Sequence, residues 1–290
     1  MTDVGLYDTG GKMQTYAVMG NPISHSLSPI IHSALFEHFH INAKYEKILL
    51  SDFEQFLPTF LRLNGANITL PYKQNAFAIC DEVRGEAVEI GAVNTIVWEN
   101  QKIIGYNTDV LGFLKCIEGM EFENALILGA GGSAKAVAYA LKSRKIPASV
   151  YNRNAERLEA FAQEGFEVIH QCQTLQNQSF DLVVNATSAG VDGSSLPLAE
   201  AILSPLLENS KMNIDLMYAN SSQIQTLRDL RGFLSQRPKT AFCALDQKCH
   251  SIDGLDMLVY QAIFAFLIFT RRDEDFEAME AIFYGGNDED

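Results

Sequence analysis

Positive charge is what this chain is short of. Its 290 residues carry 22 lysines and arginines against 36 aspartates and glutamates, a formal net charge of -14 and a pI of about 4.8. A field of that sign repels phosphate backbones and anionic lipid, which argues against nucleic acid or a membrane surface as partner. An anionic ligand would need local positive charge, so every lysine or arginine beside a motif gains weight. Cysteine is also sparse. Cys80, Cys116, Cys172, Cys243 and Cys249 are scattered, odd in number and without a Cys-x-x-Cys pair, so no disulfide framework is expected and a reducing cytoplasm is. The amino terminus lacks an apolar core, so no signal peptide is expected. The longest apolar run, Met257 to Phe269, contains Tyr260 and Gln261; it is too short to span a bilayer and reads as a buried helix. The histidines show no metal-ligand spacing, so no metal is expected. No Gly-x-x-x-x-Gly-Lys-Ser/Thr loop, internal repeat or low-complexity segment occurs.

What is present is ordinary globular material, 47% hydrophobic and 20% charged, which rules against disorder and is enough for one large domain or two. After a loose lead-in at residues 1–13, strands alternate with helices. Strands are expected at Tyr16–Gly20, Tyr45–Leu50 and Ala66–Leu70, with a hairpin at Thr95–Glu99 and Lys102–Tyr106. Ser28 is expected to cap a helix with Pro29 at its first position, and Ser51-Asp52 to open another running through Leu63. A helix from about Thr108 to Gly119 leads to a second series of strands at Ala125–Leu128, Ala148–Tyr151, Glu167–Ile169, Leu182–Asn185, Met212–Leu216 and Thr240–Ala244. This is an α/β pattern with mostly parallel sheets. The expected division is a substrate domain of residues 1–114 joined by 257–290, and a Rossmann-type dinucleotide domain of residues 115–256.

Asn67-Ile-Thr69-Leu-Pro71-Tyr-Lys73 reads as a strand stopped by proline. Alternation puts Asn67 and Thr69 on one face, and Ile68 and Leu70 on the other. Lys73 then lies just past the strand end, where it can donate a proton, bind a carboxylate, or simply be solvated. Leu126-Ile-Leu-Gly129-Ala130-Gly131-Gly132-Ser133-Ala134 is an apolar strand running into a glycine turn and then a helix, Lys135 to Lys142. That fits a dinucleotide fingerprint, with glycine backbone approaching a pyrophosphate at a helix amino terminus. The following strand ends in Tyr151-Asn152-Arg153-Asn154, with Arg157 beyond. NAD enzymes usually carry an acid there. Its absence, with two arginines beside a neutral Asn152, points to the 2′-phosphate of NADP. Asn154 also reads as a plain helix cap.

Ser26 and Ser28 sit between the first strand and helix, where α/β sheets place ligands. Asn94 starts a strand, and Asp109 opens the interdomain helix, where it would also suit the helix dipole. Taken together these segments resemble the shikimate dehydrogenase family over about residues 14–270. The resemblance rests on His-Ser26-Leu-Ser28-Pro, the Asn67–Lys73 block, Gly-Ala-Val-Asn94-Thr, Asn-Thr-Asp109, the glycine turn, Asn152-Arg153, Asn185-Ala-Thr187-Ser188, Tyr218 after Asp215, and Gln261. It implies that Ser26, Ser28, Asn67, Thr69, Asn94, Asp109, Tyr218 and Gln261 hold the substrate and that Lys73 and Asp109 form a catalytic pair. It further implies that Thr187 and Gly254 belong to the cofactor site. Two positions depart from the family pattern. Asn154 stands where threonine is common, and Asp253-Gly254-Leu255-Asp256-Met257 stands for Asp-Gly-x-Gly-Met. Asp256 reads either as a helix cap or as an unwelcome charge near the nicotinamide.

The expectation is therefore an enzyme that reduces 3-dehydroshikimate reversibly to shikimate with NADPH, cytoplasmic, and monomeric or homodimeric. The alternatives are a relative that takes quinate or uses NAD, and a nucleotide-sensing paralogue without turnover. A methylene-tetrahydrofolate type dehydrogenase shares the architecture but would not need the hydroxyl-binding set.

Overall fold

Two six-stranded sheets carry the chain in the computed structural model, which describes residues 12–190, 194–218, 221–248, 250–273 and 275–285. Residues 1–11 of the expected lead-in, Cys249 and residues 286–290 lie outside that set. The first sheet contains β1 (Gln14–Gly20), β2 (Ala43–Leu49), β3 (Gly65–Ile68), β4 (Glu82–Val83), β5 (Thr95–Glu99) and β6 (Lys102–Tyr106). Its order is β2-β1-β3-β5-β6-β4, with β5 the strand that runs antiparallel to its neighbours. Among these lie α1 (Ser28–His38), α2 (Phe56–Phe60), α3 (Lys73–Ile79) and α4 (Ala87–Ile90); α5 (Thr108–Cys116) then leads to the second sheet. The second sheet is β7 (Ala125–Leu128), β8 (Ala148–Tyr151), β9 (Glu167–Ile169), β10 (Leu182–Asn185), β11 (Met212–Asp215) and β12 (His250–Ile252). It is parallel throughout, in the order β12-β11-β10-β7-β8-β9. Its helices are α6 (Gly132–Ser143), α7 (Glu159–Gln163), α8 (Glu200–Glu208), α9 (Leu227–Gln236) and α10 (Ala241–Ala244); α11 (Gly254–Thr270) and α12 (Phe276–Tyr284) end the chain.

Strand alternation explains the layers. In β1, Tyr16 and Val18 face a core shared with α1, α9, α11 and α12, whereas Ala17 and Met19 face one built on Phe56 and Phe60. In β7, Ala125 and Ile127 face α6, and Leu126 and Leu128 face α8. Each sheet is thus covered on both sides, as a parallel sheet requires. Helix α11 is apolar on nearly all its faces and is buried accordingly. It crosses α5 closely at Gly112, where a Cβ would stand 2.9 Å from the Met257 carbonyl oxygen and 2.9 Å from the Gln261 nitrogen. Both sheets reverse strand order at a point that opens a crevice at their carboxyl ends, between β1 and β3 and between β7 and β10.

Several expectations are corrected. Thr240–Ala244 is not a strand. Thr240 accepts a bond from the Cys243 N–H and caps the short helix α10, and the sixth strand is β12 instead. Ser28 does not cap α1: the cap position is Leu27, without a side-chain bond. The segment after Asp52 is a 3₁₀ turn followed by α2, ending at Phe60 rather than Leu63. β3 stops at Ile68, so Leu70 does not share its buried face and is 62% exposed. A cis Leu70–Pro71 peptide lies beside a cis Asn21–Pro22 peptide, the Asn21 N–H donating to the Leu70 carbonyl at 2.8 Å. Helices α6 and α11 each begin three residues earlier than expected, at Gly132 and Gly254.

Candidate functional site

Lys73 is the first residue of α3, just past the cis-proline turn that closes β3. The Val93 N–H donates to its carbonyl at 2.9 Å, which ties α3 to the segment that bears Asn94. Its ammonium donates to Asp109 Oδ2 at 2.5 Å, and both side chains are largely buried. Asp109 sits in the first turn of α5, held there by Asn107, whose side chain accepts from the Asp109 N–H at 3.1 Å. Its second oxygen accepts from Asn94 Nδ2 at 2.8 Å. Asn94 in turn receives the Thr108 N–H on Oδ1 at 2.8 Å, and the Thr108 hydroxyl reaches Gln261 Oε1 at 3.4 Å. Ammonium, carboxylate and amide are thus fixed against one another, an arrangement suited to moving a proton at an oxygen.

Asn67 lies deeper. Its Nδ2 donates to Thr95 Oγ1 at 3.0 Å, and its Oδ1 accepts from the Tyr45 hydroxyl at 2.6 Å. Tyr45 also meets Ser28, and Ser26 donates to Ser28 Oγ at 3.2 Å. Burial raises the Tyr45 pKa well above 10.0, so it stays a neutral donor. One hydrogen-bonded chain therefore runs from Ser26 and Ser28 through Tyr45, Asn67, Thr95 and Asn94 to Asp109 and Lys73. Thr69 lies beside it, half-buried, its N–H donating to the Met19 carbonyl at 3.0 Å. Tyr45, Thr95 and Thr108 were not singled out from the sequence. The available signal was a lone tyrosine buried on the otherwise open strand β2, since a buried hydroxyl needs a partner. Tyr218 follows β11 and packs on the core of the first sheet; burial pushes its pKa up to about 12, with Asp253 adding to the rise. No direct bond joins it to the chain above.

In the second sheet, Gly129 ends β7 at φ +113, and a Cβ there would stand 3.0 Å from the Ala186 carbonyl. Only glycine meets both demands. Ala130 is half-buried, and nothing lies within 4 Å of a Cβ placed on Gly131 or Gly132. Gly131 is the cap residue of α6 and no side chain closes that helix end, so Gly132, Ser133 and Ala134 form an open first turn. Such an open helix start suits a diphosphate. Asn152 donates to the Asn154 carbonyl at 2.8 Å, Asn154 caps the next turn by accepting from the Glu156 N–H, and Arg153 and Arg157 are exposed beside them. Thr187 follows β10 and bonds Asn185 Oδ1 at 2.7 Å; its methyl group faces Gly129. A nicotinamide dinucleotide with a 2′-phosphate fits these residues. Among the described residues no cluster of three or more His, Cys, Asp or Glu could hold a metal.

Gly254 opens α11 with its N–H on the Met217 carbonyl at 3.0 Å, and a Cβ there would collide with the Leu216 carbonyl. Asp253, not Asp256, caps this helix, accepting from the Leu255 N–H at 3.1 Å. Asp256 is buried, pairs with Arg237, and accepts from the Tyr284 hydroxyl at 2.5 Å. The helix-cap reading of Asp256 therefore does not hold, and its carboxylate is paired with Arg237.

Comparison with known proteins gives the family. The family model for the shikimate dehydrogenase substrate binding domain matches residues 18–96. Shikimate dehydrogenase (NADP(+)) of Helicobacter hepaticus is 41% identical over 262 residues, covering 89% of this chain and 91% of its own. That of Helicobacter pylori is 39% identical over 284 residues, covering 94% and 100%. The crystal structure of shikimate dehydrogenase from Aquifex aeolicus superposes with a TM-score of 0.79 at 29% identity, over 93% of this chain and 97% of that one. A shikimate 5-dehydrogenase from Thermus thermophilus, solved in complex with NADP(H) and shikimate, gives 0.75 at 32% identity over 93% and 98%. At that identity and coverage, the chain belongs to the shikimate dehydrogenase family.

Proposed function

We infer that this protein catalyses the reversible, NADPH-dependent reduction of 3-dehydroshikimate to shikimate, a step toward the aromatic amino acids. The observation that carries the reading is the Lys73–Asp109–Asn94 constellation at the carboxyl ends of the first sheet, in a chain whose second sheet offers a diphosphate cradle. When bound, the cofactor supplies the hydride chemistry. The protein's part is to hold the substrate and manage one proton. Ser26 and Ser28 suit the carboxylate of the substrate; Asn67, Thr69, Asn94, Asp109, Tyr218 and Gln261 suit its hydroxyls and its position. Lys73 is the proton donor to the oxygen that gains charge on reduction, and Asp109 orients both the lysine and the substrate hydroxyl. Glycines Gly129, Gly131 and Gly132, with Ala130, Ser133 and Ala134, serve the diphosphate. Arg153 and Arg157, flanked by Asn152 and Asn154, serve the 2′-phosphate, and Thr187 and Gly254 the nicotinamide end.

The working division is a substrate domain of residues 1–114 with 257–290 and a cofactor domain of residues 115–256, although Ile224, Leu230 and Leu234 share the core of the first sheet. The reading includes a cytoplasmic enzyme, monomer or homodimer. Cys80, Cys116, Cys172 and Cys243 are free, which suits a reducing compartment, and among the described residues no helix is long and apolar enough to cross a membrane. The test is absorbance at the nicotinamide band with shikimate and NADP, repeated with quinate and with NAD. Turnover of shikimate with NADP at a higher kcat/KM than either substitute is expected. Faster turnover of quinate, or of NAD, would overturn the choice of substrate or cofactor.

A further inference from the structure

We propose that Asp256, Arg237 and Tyr284 form a clasp that sets the position of α11 and, through it, of Gln261 at the substrate site. The clasp joins three helices. Asp256 lies in the first turn of α11 and is 5% exposed. One carboxylate oxygen pairs with the guanidinium of Arg237, the residue that ends α9 in a left-handed conformation at φ 50. The other accepts from the hydroxyl of Tyr284, the last residue of α12. Burial, and then the Asp256 charge, raise the Tyr284 pKa, so its hydroxyl remains a donor. A buried carboxylate with both oxygens occupied by directional donors has little freedom to shift.

What the clasp holds is the helix that the site depends on. Two residues before Asp256, Gly254 presses on the Leu216 carbonyl. Five residues after it, about 7.5 Å along the axis, Gln261 meets the Thr108 hydroxyl next to Asp109. Between them, the Met257 carbonyl stands against Gly112 of α5 with no room to spare. A slide of α11 would therefore be felt at Gln261. The opposite end of the clasp is independently anchored. Arg231 donates to the Ile282 carbonyl at 2.7 Å, Tyr260 donates to Glu280 at 2.8 Å, and Met279 and Phe283 are fully buried. Helix α12 thus stays docked when a single clasp bond is removed. Asp256, Arg237 and Tyr284 bond one another and act on the site through α11, as positioning residues.

The inference rests on the reading of Gln261 as a substrate-binding residue, and a double-mutant cycle separates the two. Tyr284→Phe removes one hydrogen bond and keeps the ring. It should raise the KM for shikimate about fivefold, the scale of one lost bond, at nearly unchanged kcat and NADPH affinity. In a Gln261→Ala background the same change should alter KM by less than about twofold, because the route to the substrate is already cut. Arg237→Lys, which keeps the charge and loses the fork, should behave in the same way and serves if Tyr284→Phe is poorly folded. Equal KM increases in both backgrounds would mean that the clasp only supports the fold, and would overturn the proposal. So would an unchanged KM in Tyr284→Phe, or in Gln261→Ala while the wild-type enzyme turns shikimate over. A wild-type enzyme inert toward shikimate would overturn the functional reading and the clasp with it.

Discussion

Lys73 is the residue on which the proposed chemistry turns. Its ammonium donates to Asp109 Oδ2 at 2.5 Å, and that contact fixes where the nitrogen stands in the cleft. Lys73→Ala should lower kcat by roughly 10²–10⁴, the usual worth of a general acid. NADPH affinity, read by fluorescence titration, should hardly move, because the diphosphate cradle lies on the other sheet. A folded variant that keeps a tenth or more of kcat would remove the lysine from the mechanism. Lys73, Asn94 and Asp109 were legible in the sequence because each sits at the boundary of an element, where a polar side chain has no packing reason to be. Tyr45 and Thr95 were not, because a strand tyrosine and a strand threonine look like sheet formers. Only the tertiary contact with Asn67 reveals what they do.

The elements themselves were largely readable, and the failures share a cause. Strands β7, β8 and β10 are short apolar runs bounded by turn residues, and they fall where periodicity puts them. The stretch Thr240–Ala244 has the same apolar look. A threonine cap won over strand propensity, a contest that five residues cannot decide by pattern. The crossing of α5 and α11 was invisible for another reason: a glycine inside a helix has no periodic signature. It is nevertheless a tight contact. Gly112→Ala would gain about 1 kcal/mol of helix propensity. Its Cβ, however, would lie 2.9 Å from two backbone atoms of α11, which cannot rotate away. Overpacking of that kind costs about 1–3 kcal/mol, so packing should win or break even. A urea midpoint no higher than wild type, with a raised KM for shikimate, is expected. A clear gain in stability at unchanged KM would show that α11 yields freely.

At the scale of the molecule, two buried groups pull its pH response in opposite directions. His32 is wholly buried in the core of the first sheet, stacked 4.3 Å from Tyr45 and within 2° of parallel. Burial lowers its pKa from 6.5 to about 3, against a smaller upward pull from Asn67. Between those values the unfolded chain binds the proton and the folded one does not, so stability falls as pH drops below 6.5. Asp253 does the reverse. Burial raises its pKa from 3.8 to about 6, opposed by the Leu255 N–H and helped by Asp256. The folded state then holds the extra proton, and stability rises as pH falls from about 6 toward 3.8. By pH 5 the histidine loses about 2 kcal/mol and the aspartate returns about 1, at roughly 1.4 kcal/mol per unit. The wild-type curve alone would therefore look flatter than the histidine makes it. His32→Phe keeps an aromatic ring in the stack and removes the titration. Its stability relative to wild type, from urea midpoints at pH 7 and pH 5, should shift by about 2 kcal/mol in favour of the variant on acidification, whatever the offset at pH 7. A difference that stays constant across that range would mean that the imidazole takes up its proton in the folded protein, and that the core around Tyr45 is open to water.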